Sequence, residues 1–331
     1  MDHDWIRFLD SMFFFKCMPN HYAFNHLRHT RRLRITARKD QSHYAIPMCI
    51  PEVYPYIRLS RVDLERMYLV DIIDVVKWLV HIQELRCTDI LTDGMTQNNV
   101  LASFTGLRRL RVLHLHFYSP CDHGNYAFLI SRNRARPVLP STLKDLQITN
   151  LYDSEEQLLN ELRPQHWMRI EGALMIKYSP LQSLVNLETL ILHSCSAFTA
   201  RIWRECLIPC ASNLRYLSLG GLRSQGHNAA LLTPTPANNT TSFWTTDEEA
   251  PVRDISNAIH DFFTNLVHLD YLHLEDFTMD SIILDSLRSL ESNRGLNIHL
   301  ISATFQGNAC DIIDLEDMID RHVAYCDITF R

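Results

Sequence analysis

One phrase recurs along the chain: leucine, two residues, leucine, two residues, leucine, one residue, leucine. Its fullest copy is Leu184-x-x-Leu187-x-x-Leu190-x-Leu192-x-x-Cys195. Leu107, Leu110, Leu113 and Leu115 repeat it, as do Leu266, Leu269, Leu272, Leu274 and Phe277. Leu79-Ile82-Leu85-Cys87, Pro140-Leu143-Leu146-Ile148 and Ala211-Leu214-Leu217-Leu219 keep the same spacing. Weaker copies fall at Leu27-Thr30-Leu33-Ile35 and Tyr54-Ile57-Leu59, and Ile298 and Leu300 close the series.

The final pair places two apolar side chains on one side of a short strand, because strand side chains alternate in direction. The earlier leucines lead the chain into that strand. No single copy can bury these residues alone, so copies must stack and share one elongated core. The strand pairs are expected to begin at 33, 57, 85, 113, 146, 190, 217, 272 and 298. Most intervals run from 24 to 33 residues, and two reach 44 and 55. Helical apolar spacing lies between them, at Asp63–Val80, Ala200–Leu207, Asp254–Phe263, Ser281–Leu290 and Asp311–His322. Asp153 to Glu156 reads as a capping box that opens a further helix over Glu155–Arg163. The expected fold is an α/β solenoid, a horseshoe with a parallel sheet on the concave face and helices on the convex face. A doubly wound α/β domain also alternates strands and helices, but it does not require the same phrase at every strand.

Residues 1–23 contain Trp5, Ile6, Phe8, Leu9, Phe13 and Phe14 and are expected to form an N-terminal cap helix. A helix that touches a membrane or a partner is the alternative. Irregular repeats, about nine, follow over 24–310, and a cap helix and strand over 311–331. Two insertions enlarge the coils, at 119–137 and 221–251. The second carries Thr233-Pro234 and Thr235-Pro236, which proline-directed kinases could modify, although a tolerated loop is the simpler reading.

Charge is unevenly distributed. Residues 1–140 hold 19 Lys and Arg against 13 Asp and Glu, whereas residues 141–331 hold 13 against 25. This excludes a uniformly basic nucleic-acid binder. No apolar run reaches membrane-spanning length, so no membrane partner is expected. Nine cysteines without a CxxC pair point to free thiols in a reducing compartment, cytoplasmic or nuclear. The N-x-T sequons at Asn238 and Asn239 would be silent there. Cys195, Cys206 and Cys210 could suggest a metal, but core packing is favoured because no histidine pair stands at zinc-site spacing. Histidines group at His21, His26 and His29 and at His114 and His116, where ligation is open but unsupported.

No phosphate loop, dinucleotide fingerprint, H-E-x-x-H, calcium loop or nucleophile elbow occurs. A non-catalytic chain without cofactor or metal is therefore expected, working by its surface, with an enzyme of unrecognised site as the less favoured alternative. The residue between the last two apolar positions of each copy points away from the core. In order these are Arg34, Arg58, Arg86, His114, Gln147, Ile191, Ser218 and His273. Arg34, Arg58 and Arg86, flanked by Arg32, are expected to form a basic column suited to an acidic or phosphorylated segment. The alternative is a merely solvated charge stripe. His116, Tyr216, Tyr271 and Glu275 flank the same row and complete the expected contact set, with tyrosines as anchors.

The copies Leu184–Cys195 and Leu107–Leu115 resemble the leucine-rich-repeat family. The irregular intervals, and the phrase Leu139-Pro140-Ser141-Thr142-Leu143-Lys144-Asp145-Leu146, resemble the repeat portion of fungal F-box/leucine-rich-repeat proteins. The resemblance covers about residues 24–300. It implies repeats that hold a protein partner, with a separate F-box that docks a ubiquitin-ligase scaffold. Residues 1–23 lack the Leu-Pro-x-Glu phrase of an F-box. The chain is thus a truncated or diverged relative, or the ligase expectation does not apply to it.

Overall fold

A computed structural model describes residues 31–36, 59–77, 79–91, 101–118, 139–150, 175, 178–195, 198–220, 250–290, 296–305 and 323–330. The strands are β1 (Arg32–Thr36), β2 (Arg61–Glu65), β3 (Glu84–Ile90), β4 (Val112–Phe117), β5 (Asp145–Thr149), β6 (Thr189–His193), β7 (Tyr216–Gly220), β8 (Tyr271–Glu275), β9 (Thr278–Met279), β10 (Asn297–Phe305) and β11 (Val323–Phe330). All join one sheet in the order β1 to β8, then β10 and β11, with β9 paired to β10. Every pairing is parallel. Strands adjacent in the repeat series are adjacent in the sheet, which is the topology of a leucine-rich-repeat solenoid.

The phrase does what its spacing dictates. In β5 and β6 the pairs Leu146/Ile148 and Leu190/Leu192 align with one another and are fully buried. The leading leucines, such as Leu107, Leu110, Leu184 and Leu187, are buried as well. Cys195, three residues past its pair, is buried and donates from Sγ to Ile148 O at 3.5 Å. Met67, Ile90 and Phe277 occupy the same slot in their coils and are also buried. Where the chain turns out of the sheet, Arg66, Asp89, Asn150, Ser194, Asp276 and Ser302 each sit two residues past the pair with φ of 48–60°. That left-handed residue is a periodic feature of the coil, although none of the six is glycine. Side chains also tie neighbouring coils together ahead of the strands. Asn186 donates to Ser141 O at 3.0 Å and Asn213 to Val185 O at 2.7 Å.

One register differs from expectation. The second strand is β2, with Val62 and Leu64 turned inward, where Ile57 and Leu59 were the expected pair; Ile57 lies outside the described residues. Leu59 instead serves as a buried leading residue three positions ahead of Val62. The helix expected from Asp63 begins later, at α1 (Leu69–Val76), because 61–65 belongs to the strand.

Four further helices follow the same outer side. Thr199 caps α2 (Ala200–Ile202), its Oγ1 accepting from Ile202 N at 3.3 Å. A π turn over Trp203–Leu207 leads into α3 (Ile208–Ala211). Pro209 supplies no N–H to the turn before it and its ring crowds the carbonyl four residues back, which accounts for the widened turn. α4 (Ala250–Thr264) begins inside the stretch expected to be an insertion, and α5 (Ser281–Ser289) follows β9. Tyr178, Phe198, Trp203, Phe262 and Phe263 run between these helices as a chain of ring contacts, with centroids 4.9–5.9 Å apart. Cys87, Cys195, Cys206 and Cys210 are buried and outside any disulfide, in keeping with the core reading. The expected N-terminal cap helix, Glu155–Arg163, Asp311–His322 and most of both insertions lie outside the described residues.

Candidate functional site on the concave face

Parallel register turns the outward residues of the strands into three rows, spaced about 4.8 Å per strand. The central row reads Arg34, Asp63, Arg86, His114, Gln147, Ile191, Ser218, His273, His299. The upstream row carries Arg32, Arg61, Glu84, Val112, Asp145, Thr189, Tyr216 and Tyr271. The downstream row carries Glu65, Thr88, His116, Thr149, His193, Gly220 and Glu275.

The basic column is corrected by this register. Asp63, and not Arg58, stands between Arg34 and Arg86, and Arg58 lies outside the described residues. The consequence is electrostatic. Arg32 Nε meets Asp63 at 2.7 Å, and Arg61 reaches Asp63 at 3.0 Å and Glu84 at 3.5 Å. Arg34 meets Glu65 at 2.9 Å, and its guanidinium holds that carboxyl below the usual range. Arg86 lies 3.7 Å from Glu84. This end of the face is an alternating lattice of opposite charges. Beside it, His114 Nε2 lies 3.0 Å from Asp145 and His116 Nδ1 lies 3.6 Å from Asp89. Arg86 Nε, Asp145 Oδ1 and Thr149 Oγ1 are buried without a hydrogen-bond partner.

The far half is aromatic. Tyr216 and Tyr271 stack with centroids 4.5 Å apart and planes 7° from parallel. Tyr271 packs on His299 at 4.9 Å, and His273 lies between His299 at 6.4 Å and His193 at 5.6 Å. Past Tyr216, β7 presents the small Ser218 and Gly220, both buried although they face outward. A Cβ built on Gly220 would lie 2.7 Å from His193 Nδ1 and 2.9 Å from Glu275 Oε2. Glycine therefore lets a side chain of β6 and one of β8 meet over the strand between them. His193 Nδ1 lies 3.3 Å from Glu275 Oε2, while its Nε2 bonds Ser218 Oγ at 2.7 Å. Burial depresses the pKa of His193 and His273, partly offset by Glu275. Burial also raises Tyr216.

The structure thus brings Tyr216, Tyr271, His273 and Glu275 together, and places Arg32, Arg34, Arg86, His114 and His116 further along the same face. Sequence reasoning missed His193, His299 and Gly220. The signal for His193 was available, because it follows its leucine pair as Glu275 follows Leu274. At the upstream rim, Arg111, Lys144, Glu188, Arg215 and His268 line a polar cleft, where Lys144 pairs with Glu188. Among the described residues no helix is long and apolar enough to cross a membrane.

No protein-family model and no curated protein matches the chain. Among solved structures, the leucine-rich-repeat protein LIC12759 of Leptospira interrogans aligns over 85% of this chain at 14% identity, with a TM-score of 0.33. The chain spans 64% of that protein's length.

Proposed function

We propose that this solenoid is a non-catalytic interaction module that holds a protein partner on its concave face. The observation that carries the reading is the stacked Tyr216–Tyr271 pair, set on rigid parallel backbone beside His273 and His299. Tyrosines so fixed offer a partner large apolar area at little entropic cost, with hydroxyls left for hydrogen bonds. Arg32, Arg34 and Arg86 act differently. An acidic or phosphorylated segment would have to displace Asp63, Glu65 or Glu84 to reach them. These residues therefore set the orientation and selectivity of docking more than its strength.

Affinity purification of the tagged chain, compared with Tyr216→Ala/Tyr271→Ala, tests the reading. The partner is expected to be lost from the variant, since central aromatic anchors contribute roughly 2 kcal/mol or more each. Retention of the partner at unchanged affinity would remove the concave face from consideration. Co-purification of a ubiquitin-ligase scaffold would assign the chain as a substrate receptor, and its absence from a specific complex would leave a free-standing adaptor.

A further inference from the structure

We infer that His193, His273 and Glu275 form a binding site for a divalent transition metal, with zinc as the best-suited ion. One ligand atom from each residue lies within 4.8 Å of the others. Glu275 Oε2 is the shared vertex, 3.3 Å from His193 Nδ1 and 3.8 Å from His273 Nε2. Zinc–ligand bonds of about 2.0–2.2 Å place tetrahedral ligands roughly 3.4 Å apart, so one edge is already set and the others close by small side-chain rotations. The side chains are 25% exposed for His193, 16% for His273 and 41% for Glu275, sheltered yet reachable by an ion.

Two features show that the cluster is built. The first is Gly220, whose missing Cβ is what lets His193 and Glu275 meet. The second is the bond between His193 Nε2 and Ser218 Oγ. When Nε2–H donates to that hydroxyl, the Nδ1 lone pair is directed at a carboxylate oxygen. In the other tautomer Nδ1–H donates to Glu275, and a metal ion would take the place of that proton. A partner on the far ring nitrogen is also the usual outer support of a ligating histidine. Two imidazoles and one carboxylate are a zinc-type ligand set, and three protein ligands leave the fourth corner to water. His299 stacks beside His273 and Tyr271 and is a positioning residue for the His273 ring.

The full-length chain, stripped with chelator and exchanged into metal-free buffer, is titrated with Co2+ by visible absorption and with Zn2+ by calorimetry. The expected result is a saturable tetrahedral Co2+ band that Zn2+ abolishes. One equivalent of Zn2+ binding should be lost in His193→Ala/His273→Ala. Glu275→Gln, which keeps the shape, and Gly220→Ala should each weaken binding tenfold or more. Ser218→Ala should weaken it about tenfold, as outer-shell losses do. Far-UV circular dichroism confirms that each variant is folded. Absence of the tetrahedral band in the wild type would overturn the inference. So would unchanged Zn2+ stoichiometry and affinity in folded Glu275→Gln and His193→Ala/His273→Ala.

Discussion

At the scale of single residues, the core and the open face follow different rules. Inward positions tolerate only apolar groups, and the cysteines there behave as small hydrophobes. Burial raises the thiol pKa of Cys87 well above its ordinary value and pushes Cys210 up to about 12. A thiol that cannot ionise does not attack disulfide reagents. Cys87 and Cys210, which stay protonated, and Cys195 and Cys206, which solvent does not reach, should resist an aromatic disulfide under native conditions at pH 8 and react after denaturation. Mass spectrometry of the labelled peptides checks this, and rapid native labelling of these four would show that the coils open or that the thiols lie at the surface. At outward positions a single residue decides the geometry of the face. Gly220 reads in the sequence as the end of Leu217-Ser218-Leu219-Gly220. Its role as the saddle under His193 and Glu275 is visible only once β6, β7 and β8 are in register.

At the scale of elements, the strands are specified by their own sequence and the helices by what they must cover. The pairs Leu113/Leu115, Leu190/Leu192 and Leu272/Leu274 lie where the repeat phrase places them. The slip of five residues at β2 has a physical cause. Tyr54-Ile57-Leu59 and Leu59-Val62-Leu64 both satisfy the spacing, and the local pattern does not choose between them. The continuation does: Met67 and Leu69 bury after Leu64 and feed α1. That slip turned an apparent arginine column into an ion-pair lattice, because Asp63 replaced Arg58 at the centre. The two-residue strand β9 and the π turn before Pro209 were not legible, since neither has an apolar period of its own. Capping, in contrast, is local and testable. Asp280 Oδ1 accepts from Ile283 N at 2.9 Å to cap α5, and Oδ2 accepts from Ser256 Oγ of α4 at 2.5 Å. Asp280→Ala should lower stability by about 1–2 kcal/mol, near the upper part of the range for a lost cap because a second contact goes with it. Urea unfolding followed by circular dichroism measures this, and a midpoint unchanged from wild type would show that the α4–α5 connection is not held by Asp280.

At the scale of the whole molecule, a parallel sheet of consecutive coils converts a one-dimensional pattern into a two-dimensional surface. The face has two regions. Arg32 to Glu84 is charged but internally compensated, and Tyr216 to His299 is aromatic and imidazole-rich. The overall charge asymmetry of the chain therefore does not carry over to its concave face as a simple gradient. The proposed docking falls on the second region, where area and shape would dominate, with the arginine lattice as a selector. The most direct measurement is hydroxyl-radical footprinting of the chain alone and with the partner captured by affinity purification. Oxidation of Tyr216, Tyr271, His273 and His299 is predicted to fall by severalfold in the complex, while Val185 and Val267, exposed on the surface away from these rows, keep their free rate. Protection of Val185 and Val267 with the tyrosines and histidines unchanged would contradict docking on the concave face.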